Sequence, residues 1–185
     1  MNSTPAPATV VSVSRDDRHR FGKPTVPEIV LLAGFGIEGD AHAGVTTQHR
    51  YLLKKDPNRP NLTQVHLIPS ELFAELARDG FSVAPGELGE NMATVGLDLL
   101  SLPEGALLHL GATAIVSVTG LRSPCSLING YQRGLMKALI GTDAQGLPVR
   151  RSGVMGVVAH GGTVRPGDSI RVELPEGEQR PLGVV

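Results

Sequence analysis

Short runs of apolar and β-branched residues, separated by glycine, proline and polar positions, dominate the hydrophobic pattern of this 185-residue chain. Runs of this length bounded by turn-forming residues are typical of β-strands, and a count of seven is typical of barrels and sandwiches. The pattern therefore predicts a mainly β fold. The seven runs are Ala8–Val13, Glu28–Leu32, Thr63–Ile68, Ala106–Leu110, Ala112–Val118, Val154–Ala159 and Ser169–Glu173.

The turns between these runs predict how neighbouring strands pair. Gly111 separates two apolar runs directly, which indicates an antiparallel hairpin. Between residues 154 and 172 the pattern turns at Gly161-Gly162 and again at Pro166-Gly167-Asp168. We expect an antiparallel hairpin or meander there as well.

Two segments, Ser70–Gly80 and Gly134–Gly141, have the spacing of short amphipathic helices. Ser70 can cap the first helix, and each segment ends on a glycine that can stop it. The apolar stripes are Leu72, Phe73 and Leu76 in the first segment and Leu135, Met136, Leu139 and Ile140 in the second. We therefore predict a β domain with a few short helices.

Composition indicates that these elements form one folded domain. Glycine (23) and proline (14) are frequent, yet 41% of the residues are hydrophobic and the mean hydropathy is +0.03, which is enough to supply a core. One domain is expected at this length, and we place it at residues 8–174. Residues 1–7 and 175–185 are polar or rich in proline and glycine, so we expect both to be flexible.

Charge and hydropathy exclude two classes of partner. A net charge of −1 with four Phe, two Tyr and no Trp argues against nucleic-acid binding, which needs a basic groove and stacking rings. The sequence begins without a signal-peptide pattern, and its longest apolar stretch, Ile29–Ile37, is about half a membrane span. The single cysteine cannot form an internal disulfide. We expect a cytoplasmic protein that binds neither nucleic acid nor membrane.

The segment Gly34–Gly39 matches the dinucleotide-binding pattern G-x-G-x-x-G directly after an apolar run. In a dinucleotide fold these glycines open a helix whose N-terminus holds the pyrophosphate. Residues 40–47 have no helical apolar period, and no alternation of strands and helices follows. We interpret the glycines as a loop.

The histidines raise the possibility of a metal site. Asp40, His42 and His49 lie on the loop after these glycines, and His66, His109 and His160 lie elsewhere in the chain. Their spacings match no zinc pattern and no cysteine pair accompanies them. We expect Asp40 and His42 to line a ligand pocket rather than to hold a metal ion.

Cys125 lies in a loop between an apolar β run and the second predicted helix. A lone cysteine is commonly a small buried hydrophobe, but Gly120 and Pro124 mark a loop, where reactive groups are often presented. Basic residues outnumber acidic ones between residues 120 and 155: Arg122, Arg133, Lys137, Arg150 and Arg151 against Asp143. If these cations converge they favour a thiolate and bind phosphate, and otherwise they form a solvated surface.

A second polar, glycine-rich loop follows the first predicted helix. Its residues Glu87, Glu90 and Asn91 can hydrogen-bond the donors and acceptors of a heterocycle, although composition alone favours a plain turn.

Four blocks in order resemble the MOSC family, the domain found at the C-terminus of molybdenum cofactor sulfurases and as free-standing bacterial proteins. The blocks are GIEGDAHAG at 36–44, PGELGENM at 85–92, TGLRSPC at 119–125, and GVMGVV at 153–158 followed by VRPGD at 164–168. The resemblance implies a closed β-barrel of the pyruvate-kinase-barrel type with two or more short helices.

The resemblance also implies roles for particular residues. Cys125 would be the catalytic residue, carrying sulfur as a persulfide or ligating the molybdenum of a molybdopterin cofactor, and Arg122 would contact the pterin phosphate. Asp40, His42, Glu90 and Asn91 of the matched blocks would line the cofactor cavity, and we add Ser126 as the polar neighbour of Cys125.

Three functions are consistent with this resemblance. The first is a molybdenum-dependent oxidoreductase component that reduces N-hydroxylated compounds with electrons from an external donor. The second is a sulfur carrier or cofactor-handling module served by a separate cysteine desulfurase, because 185 residues leave no room for a pyridoxal-phosphate domain. The third is a non-catalytic module that binds a phosphorylated ligand. The sequence leaves the oligomeric state open.

Overall fold

The computed structural model describes residues 7–142 and 145–185, without the side chains of residues 50 and 51. Residues 1–6, which belong to the predicted N-terminal segment, and Asp143 of the basic segment lie outside the described residues. The predicted domain bounds, 8–174, stay a prediction.

Short strands make up most of the regular structure, and the helices are one to two turns long. The strands are β1 (Thr9–Ser14), β2 (Thr25–Val26), β3 (Ile29–Leu32), β4 (Gly36–Ile37), β5 (Val65–Pro69), β6 (Met92–Val95), β7 (Leu107–Leu110), β8 (Ala114–Leu121), β9 (Ile140–Thr142), β10 (Pro148–Arg150), β11 (Val154–His160), β12 (Gly162–Val164) and β13 (Ile170–Glu173). The helices are α1 (Arg50–Lys55), α2 (Glu71–Arg78), α3 (Leu127–Tyr131) and α4 (Leu135–Ala138), with a short 3₁₀ helix at Leu99–Ser101.

Eight strands form one sheet in the order β13-β7-β8-β11-β5-β6-β1-β2. Its neighbouring strands are antiparallel except β5 and β6, which are parallel. A three-stranded sheet, β12-β3-β4, and a two-stranded sheet, β10-β9, accompany it. The fold is therefore mainly β, as the pattern of apolar runs predicts.

The predicted closed barrel is wrong, because the large sheet ends in two edge strands, β13 and β2, that do not pair with each other. β2 pairs with β1 at Val13 and Ser14, and only Thr9 of β1 forms a bridge to Ser169 beside β13. The four residues of β13 are already paired with β7. This bridge and the backbone hydrogen bonds of Ala8 and Val10 with residues 167–170 do not form a strand ladder, so the sheet stays open.

All seven predicted strands are present within one to three residues of their predicted bounds. The hairpin around Gly111 is confirmed, because β7 and β8 pair antiparallel. The predicted pairing within residues 154–172 is wrong: β11 pairs with β8 and β5, β12 pairs with β3, and β13 pairs with β7. The turn at Gly161-Gly162 therefore leads from the large sheet to the three-stranded sheet. The turn at Pro166-Gly167-Asp168 leads back to the edge strand β13 of the large sheet.

Both predicted helices are confirmed as α2 and α4, although α4 has only four residues. The hydrophobic pattern missed α1 and α3, which are equally short. None of the helices in the described ranges is long and apolar enough to cross a membrane.

The glycine pattern at residues 34–39 covers the end of the turn after β3, the two-residue strand β4, which pairs antiparallel with β3, and the turn after β4. The next helix, α1, begins only at residue 50. The loop interpretation is confirmed, and the dinucleotide interpretation has no helix to support it.

Two apolar clusters hold the fold together. The larger one packs the inner side chains of the large sheet and of β3, β4 and β12, with Leu67, Leu108 and Val116 fully buried. The smaller one joins the opposite face of β5 to α2, α3 and α4 through Ile68 and Leu76. Cys125 packs at the edge of this smaller cluster. The loop between β8 and α3 is thereby fixed between the sheet and the helices.

Candidate functional site

A cavity of about 570 Å³ opens where β8 ends and where β6 and β11 begin. Four cations and three histidines line it, and no carboxylate does among the residues described. The charged and titratable lining residues are Arg20, Lys23, Arg59, Arg122, His42, His49, His66 and Cys125. Asp16 pairs with Arg20 and Asp40 pairs with Lys23 behind the lining, so the uncompensated positive charge of the cavity comes from Arg59 and Arg122.

Cys125 and Arg122 lie on the loop that leaves β8, and both line the cavity. Cys125 is a free, half-buried thiol. The buried Nη1 of Arg122 has no hydrogen-bond partner among the described atoms. Burial lowers the pKa of Arg122, and the neighbouring Cys125 sulfur opposes that shift by favouring the charged guanidinium. The loop thus presents a thiol beside a cation with spare hydrogen-bonding capacity.

A chain of hydrogen bonds fixes this loop to β5 and β11. His66 Nε2 donates to the backbone oxygen of Ser152 at 2.7 Å, and Ser152 Oγ donates to the backbone oxygen of Arg122 at 2.7 Å. The Arg122 amide also donates to the Gly153 oxygen at 3.0 Å. Burial and the charge of Arg122 hold the pKa of His66 well below its ordinary value, so His66 is neutral near pH 7.

Asp40 lies behind the cavity wall and organises three residues that form it. Its carboxylate accepts hydrogen bonds from Lys23 Nζ at 2.7 Å and from Asn91 Nδ2 at 3.0 Å. It also accepts the His42 amide at 2.9 Å and faces His42 Nδ1 at 3.2 Å. Burial raises the pKa of Asp40, but His42 and Lys23 outweigh it and hold the pKa below its usual range. Asp40 is therefore an ionised structural anchor.

Lys23 is almost fully buried, with its side chain only 5% exposed. Burial lowers its pKa, while the Asp40 carboxylate favours the charged form. Because Lys23 lines the cavity and Asp40 does not, the pair places a compensated ammonium group in the wall.

Asn91 and Glu90 differ in position although they are adjacent in sequence. Asn91 lines the cavity, with Oδ1 accepting the His66 amide at 3.1 Å and Nδ2 donating to Ser14 O at 3.1 Å. Glu90 is buried outside the lining, where Oε1 accepts the Gly86 amide and Oε2 has no partner among the described atoms. Burial raises the pKa of Glu90. Glu90 supports the loop of residues 85–91.

The structure thus brings together some of the predicted site residues and separates others. Cys125, Arg122, His42 and Asn91 line one cavity, whereas Asp40 and Glu90 lie behind its wall. Ser126 is exposed at the start of α3 and is not part of the lining.

Sequence reasoning missed several cavity residues, above all Lys23 and Arg59, and considered His66 only among the histidines of a possible metal site. Lys23 belongs to no pattern that marks a buried cation, and only its tertiary pairing with Asp40 shows its position. The useful signal was the excess of basic residues near Cys125, but that signal identified Arg122 alone among the lining cations.

A protein-only metal site finds no support in the described part of the chain, where no group of three or more His, Cys, Asp or Glu side chains is arranged to hold an ion. The His19 and His42 rings lie 5.0 Å apart between centroids, but they form no such group. A metal bound at Cys125 would need its remaining ligands from a cofactor.

A comparison with protein families finds a match to the MOSC domain over residues 41–171. That range includes Cys125, Arg122 and the β8 and β11 strands that flank them. None of the curated proteins matches this chain.

Several solved structures share the fold. The YUAD protein from Bacillus subtilis is 24% identical with a TM-score of 0.74, over 92% of this chain and 98% of that one. YiiM from Geobacillus stearothermophilus is 22% identical with a TM-score of 0.63, over 90% and 75% of the two chains. YiiM from Escherichia coli is 20% identical with a TM-score of 0.60, over 92% and 72%. At these identities the likeness shows the fold alone.

Proposed function

Because this chain belongs to the MOSC domain family, we propose that it binds a molybdenum cofactor in the Cys125 cavity and reduces N-hydroxylated compounds there. The observation that carries the proposal is the buried, unpartnered Nη1 of Arg122 beside the Cys125 thiol. A buried guanidinium with an unused donor is costly unless a ligand supplies an acceptor.

The residues present fit a molybdopterin cofactor in size and in chemistry. The cavity of about 570 Å³ falls within the range of roughly 300–1,000 Å³ that is common for cofactor-sized ligands. A soft thiolate suits molybdenum, and guanidinium groups suit a phosphate. Cys125 Sγ would ligate the metal. Arg122 and Arg59, which have no ion pair with a described carboxylate, would hold the anionic part.

When bound, the cofactor supplies oxygen-atom chemistry that no side chain here can perform. Reduction of an N-hydroxylated amine to the amine consumes a pair of electrons and a pair of protons and releases water, so an external electron donor is required. Asp40 engages Nδ1 of His42, which leaves Nε2 as the ring nitrogen available to a bound molecule. The apolar lining residues Phe21, Leu52, Leu127 and Met155 limit water around that molecule.

The test is the reduction of benzamidoxime to benzamidine by protein produced in a cofactor-competent host, with reduced methyl viologen as electron donor. We expect Cys125→Ser to lower the rate more than about 100-fold. Replacing a residue that only hydrogen-bonds a metal ligand lowers activity by about 10–100-fold. Arg122→Gln should lower the bound pterin, whereas Arg133→Gln, an exposed residue of the same basic segment, should leave it unchanged. Equal rates in wild type and Cys125→Ser would contradict the proposal.

The half-exposed position of the Cys125 thiol in an open cavity also favours a second candidate, a sulfur carrier. Incubation with a cysteine desulfurase and cysteine would then add the mass of one sulfur atom to Cys125. That mass increase in a protein that acquires no molybdenum would favour this candidate over the reductase.

A further inference from the structure

Residues 180–185 return to the site beside the last residues of β8, beyond the stretch of β8 that pairs with β7. The Leu121 amide donates to the Gly183 oxygen at 2.7 Å, and the Val185 amide donates back to the Leu121 oxygen at 3.3 Å. Leu121 and Val184 form a parallel bridge. The segment therefore runs beside the last residue of β8, directly before the loop that carries Cys125.

Further contacts upstream hold the same segment. The Glu104 amide donates to the Arg180 oxygen at 2.9 Å, and Pro103 and Pro181 form a bridge. Leu182 packs against the larger apolar cluster. These contacts attach residues 180–185 to the surface around the cavity, although their composition predicts a flexible tail.

Gly120 makes this close approach possible. A Cβ at residue 120 would lie 2.6 Å from the Gly183 oxygen and 2.7 Å from Cγ1 of Val185. Such contacts are far inside van der Waals distance, so any other residue would displace the segment. The glycine at position 120 is required for the seating of Val185 and not for a turn.

Val185 and Val184 differ in what they face. Val185 is half-buried and lines the same cavity as Cys125, Arg122 and Met155. Val184 is 47% exposed and is not part of the lining. The two valines are therefore a matched pair, one facing the cavity and one facing solvent.

We propose that Val185, seated by Gly120 on β8, is a specificity-determining residue that limits the size of the molecule that can reach Cys125. The proposal deepens the proposed function, since it concerns access to the same thiol. It is carried by the backbone hydrogen bonds of residues 183–185, the missing Cβ at residue 120 and the place of Val185 in the cavity lining.

The experiment uses the single cysteine of the chain, so that every labelling event reports on Cys125. The cofactor-free protein reacts with N-ethylmaleimide or with the bulkier N-(1-pyrenyl)maleimide, which have the same reactive group. The ratio of the bulky to the small rate constant measures size selection and cancels changes in thiol reactivity. Mass spectrometry of the labelled chain gives both rate constants.

We expect Val185→Ala to raise this ratio about tenfold, the scale of relieving a modest steric clash, and Val185→Trp to lower it. Gly120→Ala should raise the ratio as well, because its Cβ displaces the segment. Val184→Ala should leave it unchanged. If Val185→Ala and Val185→Trp both keep the wild-type ratio, the proposal is overturned, whatever the folding of the Gly120 variant.

The outcome is distinguishable from failure of the proposed function, because the labelling needs no cofactor. If the Val185 variants change the labelling ratio but the protein never acquires molybdenum, the size limit is supported and cofactor binding is contradicted. If the protein acquires molybdenum but the Val185 variants keep the wild-type ratio, cofactor binding is supported and the size limit is contradicted.

Discussion

At the level of single residues, the candidate site depends on side chains that lie behind its cavity rather than in its lining. Asp40 does not line the cavity, yet it fixes Lys23, His42 and Asn91 through one carboxylate. Its side chain is 1% exposed and that of Lys23 is 5% exposed. Removing one partner of a buried ion pair leaves the other charge without compensation, which costs more than the pair itself contributes.

Asp40→Asn should therefore lower the free energy of unfolding by roughly 3–5 kcal/mol, the range for breaking a buried pair. Urea denaturation at pH 7 measures this change. Asp17→Asn is the matched control, since the Asp17 side chain is 75% exposed and the change should be near zero. A loss in Asp40→Asn no larger than that of the control would show that Lys23 does not need its carboxylate.

Asp16 makes the stability of the fold dependent on pH. The hydrogen bond from Arg20 lowers the pKa of Asp16 from 3.8 to about 2, against the opposing effect of burial. A carboxyl whose pKa is lower in the folded state stabilises the protein above its unfolded pKa, and this contribution is lost as the pH falls through the folded value. The loss therefore belongs between about pH 4 and pH 2.

Urea denaturation of wild type and Asp16→Asn at pH 7, 4 and 3 tests this expectation. Wild type should be the more stable of the two at pH 7, and the difference should shrink at pH 3. A difference that stays constant across the three pH values would exclude ionisation of Asp16 as its source.

Residue type alone could identify only part of this site. Cys125 and Arg122 could be predicted because a lone thiol and an excess of basic residues share one segment. Asp40 and Glu90 were predicted as cavity residues, but both are buried behind the wall, Asp40 against long-range partners and Glu90 against its own loop at Gly86. The sequence contains no local sign of those partners, which lie 17 residues away for Asp40 and Lys23.

At the level of elements, backbone hydrogen bonds hold the loop that follows β8, with Arg122 and Cys125, against the residue that precedes β11. The Gly153 oxygen accepts the Arg122 amide at 3.0 Å, just before β11 begins. Gly153 has a φ of +89°, and a Cβ there would collide with the Leu67 oxygen and lie 3.1 Å from Nε2 of His66. Position 153, where β5 and β11 meet, therefore accepts only glycine without a shift of the backbone.

Gly153→Ala should lower the free energy of unfolding by about 2–6 kcal/mol, because a strained φ and an overpacked contact each cost roughly 1–3 kcal/mol. Gly146→Ala is the control, since Gly146 has a φ of +82° with nothing within 4 Å of the added Cβ. Chemical denaturation of both variants separates the collision from the backbone strain. Equal losses of unfolding free energy in Gly153→Ala and Gly146→Ala would show that the collision with the Leu67 oxygen adds no cost to the backbone strain.

The strands and helices differed in how well the hydrophobic pattern predicted them. The seven apolar runs became strands because each supplies at least one buried residue, and most supply several, as in the alternation along β8. β2, β4 and β9 have two or three residues, so their existence depends on a partner strand and not on their own pattern. β6 was missed as well, although its residues Met92, Ala93 and Thr94 are fully buried.

At the level of the whole molecule, the resemblance to the MOSC family correctly predicted a mainly β fold with short helices. It wrongly predicted that the large sheet closes into a barrel. The MOSC match and the shared fold agree with a mainly β chain that carries short helices. Closure would require β13 to pair along β1, but β2 occupies part of that edge, and the bridge at Thr9 with the backbone hydrogen bonds beside it does not extend into a ladder. Closure depends on the register of strands far apart in the chain, which periodicity does not specify.

The measurement that tests the central claim most directly is the molybdenum and pterin content of the purified protein. The account predicts close to one molybdenum and one pterin per chain from a molybdenum-replete, cofactor-competent host, and loss of the molybdenum in Cys125→Ala with the fold intact. Folded wild-type protein without molybdenum or pterin, from a host that loads another molybdenum enzyme in the same culture, would contradict it.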